Sequence, residues 1–380
     1  MTRKSILLLI LLLTVKGAFA QINNQLLEQN ITVADSLQQQ VLLSVQSNNF
    51  FKNNEYFGNI IKGYTLMGSQ LGTQIAYLPN ANVRLQAGTF IRKDFGNDTG
   101  LKVRPVLSCK IQKNGYAAIF GTLEGNFSHR MIEPLYNYER YISQPLEQGL
   151  QIKIDRSKIW SDTWINWEVM QYLGSDYQEE FSVGHHTDVT LFKNNTTRLT
   201  IPMQMLISHK GGQIDIDTTS LKSNANAAVG FTFQYNAKGS EQFLKAFRTE
   251  NYVTFFKALP PSSQSVYKAG SGIYLNATFV SKYDIAASIA YWNGRDYVAS
   301  RGSYLFQSEA SPFGKKGYLE PNRNLLFFRL LYSHKVLNAI NVDVRFEPYY
   351  DLGNSLFEYN YSVYFSYRAD FSLFNFTKKK

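Results

Sequence analysis

Five histidines and one cysteine are the residues of this 380-residue chain with the widest chemical range. His185 and His186 are adjacent. Neighbours on a strand point to opposite faces, so this pair cannot chelate one metal ion. His186 shares a face with Asp188, a pairing most simply read as polar lining. His209 follows Ser208 and precedes Lys210, but a strand turns Ser208 and His209 apart. A hydrolase needs Ser/His or Asp/His groups converging on one face, and linear spacing supplies none. Cys109 falls on an apolar face as inert packing, and a lone cysteine excludes both a disulfide framework and a cysteine-built metal site. There is no phosphate loop and no cofactor fingerprint. The expectation is a protein that is not an enzyme, with no catalytic, cofactor or metal residues.

The remaining chemistry is charge at alternating positions. Arg84, Arg92, Lys102, Arg104, Lys110, Lys153, Glu168, Asp188, Arg198, Asp343, Arg345, Glu347, Glu358, Arg368 and Asp370 all fall on the polar face of their segments. The early segments are basic and the closing ones mixed. If that face lines a lumen, the asymmetry creates a transverse field favouring anionic or polar solutes. Pairing between neighbouring strands is the plainer alternative. Residues 130–147 mix Glu133, Glu139 and Glu147 with Tyr136, Tyr138 and Tyr141, which suits sugar binding but reads more simply as rim structure. Residues 293–324 form the longest connection and carry Arg295, Arg301, Lys315, Lys316 and Arg323; folded inward, they would make a constriction.

What must position these groups follows from composition and periodicity. The chain is 15% aromatic, with 27 Phe and 25 Tyr, yet its mean hydropathy is -0.25. So polar an average excludes a helical membrane protein, and so many rings exclude disorder. Aromatic and polar residues must interleave, and they do so with period two. In residues 197–210, Leu199, Ile201, Met203, Met205 and Ile207 point one way, while Arg198, Thr200, Gln204, Ser208 and Lys210 point the other. Residues 357–373 repeat the pattern with Phe357, Tyr359, Tyr361, Val363 and Phe365 on one face. The polar face holds charges at mid-strand, and the apolar face is nearly free of them and ends on rings. Such strands make a transmembrane β-barrel, in which lipid replaces the core.

Short turns alternate with longer connections along the chain, and the count reaches an all-β, antiparallel up-and-down barrel of about 16 strands, with 14 or 18 as alternatives. Sixteen strands leave an aqueous lumen. The pattern resembles the outer-membrane porin-like barrels of Gram-negative bacteria over nearly the whole mature chain. One departure is the end: Phe374 and Phe376 are followed by Thr377 and three lysines, where such barrels commonly finish on an aromatic residue.

Residues 1–20 read as a signal peptide, with Arg3 and Lys4 before a short apolar run and Ala18 to Ala20 as a cleavage site. Residues 21–37 follow as a periplasmic tail, 38–374 as the barrel and 375–380 as a basic C-terminal tail. Both termini would be periplasmic. The net charge of +10 is spread along strands with no nucleic-acid module, so anionic lipid and lipopolysaccharide are better partners than nucleic acid. Barrel-assembly machinery would act during biogenesis. The resulting expectation is a channel for passive diffusion of small hydrophilic, anion-biased solutes, the alternative being a non-conducting scaffold acting through its outer loops in secretion, envelope assembly or attachment.

Overall fold

The structure is a computed structural model that describes residues 24, 27–217, 219–239, 242–260, 265–337 and 339–376. Residues 1–20, expected to be a signal peptide, and the terminal lysines lie outside the described residues.

Sixteen antiparallel strands follow one another in chain order. The first half comprises β1 (Gln40–Glu55), β2 (Tyr64–Asn80), β3 (Val83–Asp94), β4 (Lys102–Lys113), β5 (Tyr116–Thr122), β6 (Gln148–Asp155), β7 (Ile159–Val169) and β8 (Glu179–Lys193). The second comprises β9 (Thr197–Gly211), β10 (Lys222–Asn236), β11 (Leu244–Leu259), β12 (Ala269–Ser281), β13 (Ile285–Arg295), β14 (Asn322–Leu337), β15 (Ile340–Asp351) and β16 (Leu356–Asn375). Each strand pairs with its chain neighbours, and β1 pairs with β16 to close the barrel. Closure matters physically, because an open edge in lipid would leave backbone amides without partners.

Alternation sets the two faces. On β9, Thr200, Gln204, Leu206 and Ser208 are buried, while Met203 and Met205 are exposed to the surroundings of the barrel. The outward face carries large apolar side chains from every region of the wall, among them Ile75, Leu107, Phe120, Val229, Phe255, Phe328 and Phe365. Tight turns close one end. Asn114 and Gly115 both adopt positive φ in the β4–β5 turn, the backbone that a two-residue hairpin of matching twist requires. Long connections gather at the other end. The first of them spans residues 56–63, because β1 extends to Glu55.

The interior departs from expectation. A wide aqueous lumen was expected; a packed plug occupies it. Leu123, Met131, Ile132, Leu135 and Tyr136 from the β5–β6 loop form a core with Trp164, Leu206 and Tyr252 of the wall. Tyr297, Val298, Ala299, Leu305 and Phe306 from the β13–β14 loop join the same core beside Trp292 and Phe327. Residues 130–147 are therefore not rim structure, and residues 293–324 do fold inward. The two loops are bonded to each other: the Asn137 amide donates to the Arg301 carbonyl at 2.8 Å, and the Ser303 amide to the Glu133 carbonyl at 3.1 Å. Sixteen strands give the width, but burial of these rings, at about 1.5–3 kcal/mol each, favours filling it.

The segment before β1 also enters the barrel. Leu27 packs on Phe127, Tyr141 and Ile142, and the Ile31 amide donates to Glu124 at 2.7 Å. The wall is shaped to receive the plug. A Cβ at Gly184 would lie within the Trp164 indole, and one at Gly272 against Trp292. Both glycines thus permit a close approach that any side chain would block.

Candidate functional site

The plug is held by buried ion pairs, and its centre is His129. This ring is fully buried and stacked on Trp164, with centroids 3.5 Å apart. Its Nδ1 lies 2.9 Å from Asp162 of β7 and its Nε2 lies 2.9 Å from Glu147. Glu147 also accepts from the Tyr136 hydroxyl at 2.8 Å and the Asn126 amide at 2.7 Å. Burial opposes the charge on His129, but Glu147 and Asp162 outweigh it and raise the ring to about 9. Burial likewise opposes ionisation of Glu147, and His129 and then Arg140 hold it down at about 2. Both ring nitrogens are occupied and sealed from solvent, so His129 is a lock and has no lone pair for a substrate proton. His186 supports it from β8, with Nδ1 3.0 Å from the His129 carbonyl.

Most of the charges expected to line a lumen are consumed in pairs. Arg84 meets Asp370 at 2.9 Å, and Arg92 meets Asp94 at 2.7 Å. Lys110 and Lys153 converge on Glu124 at 2.7 and 2.6 Å. Burial opposes ionisation of Glu124, and Lys153 and Lys110 hold it at about 2. Glu168 binds Arg301 of the inward loop at 2.7 Å, and Asp188 binds His186 at 3.1 Å. Arg345 meets Asp343 at 2.5 Å, and Glu347 faces Arg329 at 3.4 Å. Glu358 accepts from the Gly58 amide at 2.6 Å and from the Tyr349 hydroxyl. Arg198 donates to Thr190, and Arg368 to the Glu28 carbonyl. Lys102 and Arg104 are exposed, with Lys102 3.9 Å from Asp94. These opposite charges are paired within strands, between strands and with the inward loops, the plainer of the two arrangements weighed from the sequence.

Among the described residues, clefts enter the barrel at both ends. One, of about 250 Å³, opens beside Lys335, Asn341 and Arg368 and reaches Asn48 and Tyr141. The other, of about 620 Å³, opens at the loop end beside Ser208, Lys210, Lys222, Arg301 and Tyr304. Among the described residues, no three of His, Cys, Asp and Glu converge to hold a metal ion.

A second constellation lies on the outward face. His209 and Ser223 are directly paired across β9 and β10, and His209 Nδ1 is 2.7 Å from Ser223 Oγ. Ser208 does diverge from His209, as expected; the partner comes from the next strand. Only the hairpin register, set by the length of the intervening loop, brings them together. The meeting of His129 with Glu147 and Asp162 was illegible for a similar reason, since a loop residue such as His129 has no period to reveal what it docks on. His185 and His186 take opposite faces: His185 lies outside, between the Thr163 and Thr187 hydroxyls at 2.8 Å each.

Among solved structures, a loop L8 deletion mutant of OmpT, an outer membrane protein of Vibrio cholerae, is similar with a TM-score of 0.52 at 14% identity, covering 87% of this chain and 99% of that one. Pseudomonas aeruginosa OprD is similar with a TM-score of 0.52 at 9% identity, covering 93% of this chain and 99% of that one. At such identities the likeness concerns the fold, a porin-like outer-membrane barrel. No curated protein matches. Residues 31–376 match the family described as Lipid A 3'-O-deacylase-type. That match overturns the expectation of a protein that is not an enzyme, because the family is one of enzymes and the match spans almost the entire barrel. The chain belongs to the lipid A 3'-O-deacylase-type family.

Proposed function

We propose that this barrel hydrolyses an ester-linked acyl chain of an anionic outer-membrane glycolipid of the lipid A type. Family membership over residues 31–376 carries the reading. A filled interior supports it, because the work of the protein is then moved from the lumen to its mouth and wall. The loop-end cleft places Lys210, Lys222, Arg301 and Lys316 beside Glu180 and Glu309, a mixed set suited to an anionic head group. With the long loops outside the cell, that cleft faces the outer leaflet.

The test uses the purified full-length protein with lipopolysaccharide in mixed micelles. Mass spectrometry of the lipid is expected to show loss of one ester-linked chain, with the matching free fatty acid. An unchanged lipid refutes the reading.

Small-solute passage is a second reading, favoured by the clefts that enter the barrel from opposite ends. Planar bilayers distinguish it: ohmic single-channel steps support passage, and silence excludes it.

A further inference from the structure

We propose that Ser223 and His209 are a nucleophile and its general base, placed on the lipid-facing wall of the barrel and acting on acyl esters at the membrane interface. The assignment of the reaction class rests on the hydrolase reading above; the site itself rests on geometry.

The face is fixed by alternation. His209 shares its side of β9 with the exposed Met203 and Met205, and Ser223 shares its side of β10 with the exposed Val229 and Phe231. Both groups are half-buried, so a substrate can reach them from outside. Height is fixed by position in the strands. Ser223 is the second residue of β10, and His209 lies two residues before the end of β9. The same outward row continues through Phe181 of β8, whose ring centroid is 5.0 Å from that of His209, to Trp167 of β7, stacked on Phe181. A row of rings at strand ends is the girdle that sits at the boundary between hydrocarbon and head groups. Ester linkages of membrane lipids lie at that depth, with their acyl chains running down the apolar wall below.

The chemistry needs a hydroxyl within hydrogen-bond reach of a base, about 2.6–3.2 Å, and the observed 2.7 Å meets it. Ser223 Oγ attacks the acyl carbonyl carbon while its proton passes to His209 Nδ1. The tetrahedral adduct collapses, the ester C–O bond breaks, and the sugar alkoxide takes that proton from His209 and leaves as an alcohol. Water then attacks the acyl-serine with His209 as base. The fatty acid departs and the proton returns to Ser223. The other outward histidine makes a useful contrast. His185 stands at mid-wall, far from any ester linkage, with both ring nitrogens bound by threonine hydroxyls.

The experiment pairs acyl release from lipopolysaccharide with labelling by a fluorophosphonate, using wild type, Ser223→Ala and His209→Ala. Heat-dependent gel migration confirms that each variant is a folded barrel. Wild type is expected to carry the label on the Ser223 peptide, and both variants to lose labelling and to slow acyl release on the order of 100-fold or more. Equal acyl release by wild type and Ser223→Ala overturns the dyad while leaving the hydrolase reading standing. If wild type releases no chain from lipopolysaccharide, the hydrolase reading fails, and labelling still decides the dyad: a labelled Ser223 sustains it and an unlabelled one overturns it.

Discussion

Replacing His129 with alanine is expected to undock the loop between β5 and β6 while leaving the barrel wall intact. The ring is fully buried between two carboxylates at 2.9 Å each. Its rise from an ordinary value of about 6.5 to about 9 corresponds to roughly 3 kcal/mol favouring the charged, docked state. Removing it also takes from Glu147 and Asp162 the cation they share in the interior, leaving them only neutral donors and the more distant Arg140; breaking a buried pair typically costs about 3–5 kcal/mol. The two routes agree on about 3 kcal/mol, or roughly a 100-fold larger open population. Hydrogen exchange resolved by peptide measures this directly. Protection of residues 126–136 should fall about 100-fold in the variant, and protection in β9 and β14 should not change. The wild type should behave in the same way with pH. A raised imidazole stabilises the docked loop fully below about pH 6.5, and that contribution is lost as pH climbs through about 9. Protection factors at 126–136, corrected for intrinsic exchange, should therefore decline between those values. Unchanged protection in His129→Ala, or a flat pH dependence, would refute the assignment of this ring as the lock.

Two further outcomes follow from the packing. Trp292→Ala removes a fully buried ring lying between Tyr297 and Phe306; it should cost about 3–5 kcal/mol of docking of the β13–β14 loop, read as new protease cleavage within residues 296–321 of a barrel that still migrates as folded. Val229→Arg places a charge on the outward face at mid-strand and should destabilise the barrel by about 2–4 kcal/mol in urea titrations in liposomes, whereas the same change in a detergent of short chain length should cost less.

The wall was legible because its signal is local. Leu199, Ile201, Met203 and Met205 declare their common face through period two alone, and the same holds for Phe357 to Phe365. The strand number followed from the regular exchange of short turns and longer connections. The plug was not legible. Leu135, Tyr136 and Phe306 carry no periodic mark, so nothing in their spacing says what they pack against. Opposite charges such as Arg84 and Asp370 stand far apart in sequence, so an apparent basic wall could not be seen to be neutralised. The meeting of His209 with Ser223 was illegible for a similar reason, since adjacent Ser208 and His209 diverge and the serine that meets His209 lies across a loop.

By itself, then, the sequence determined an inside-out barrel: alternating residues must choose between lipid and interior, and that choice is made residue by residue along each strand. Tertiary structure alone decided what fills the interior and which side chains meet. Those contacts depend on the register between strands and on loops docking across the full width of the barrel, and neither is written in the spacing of neighbouring residues.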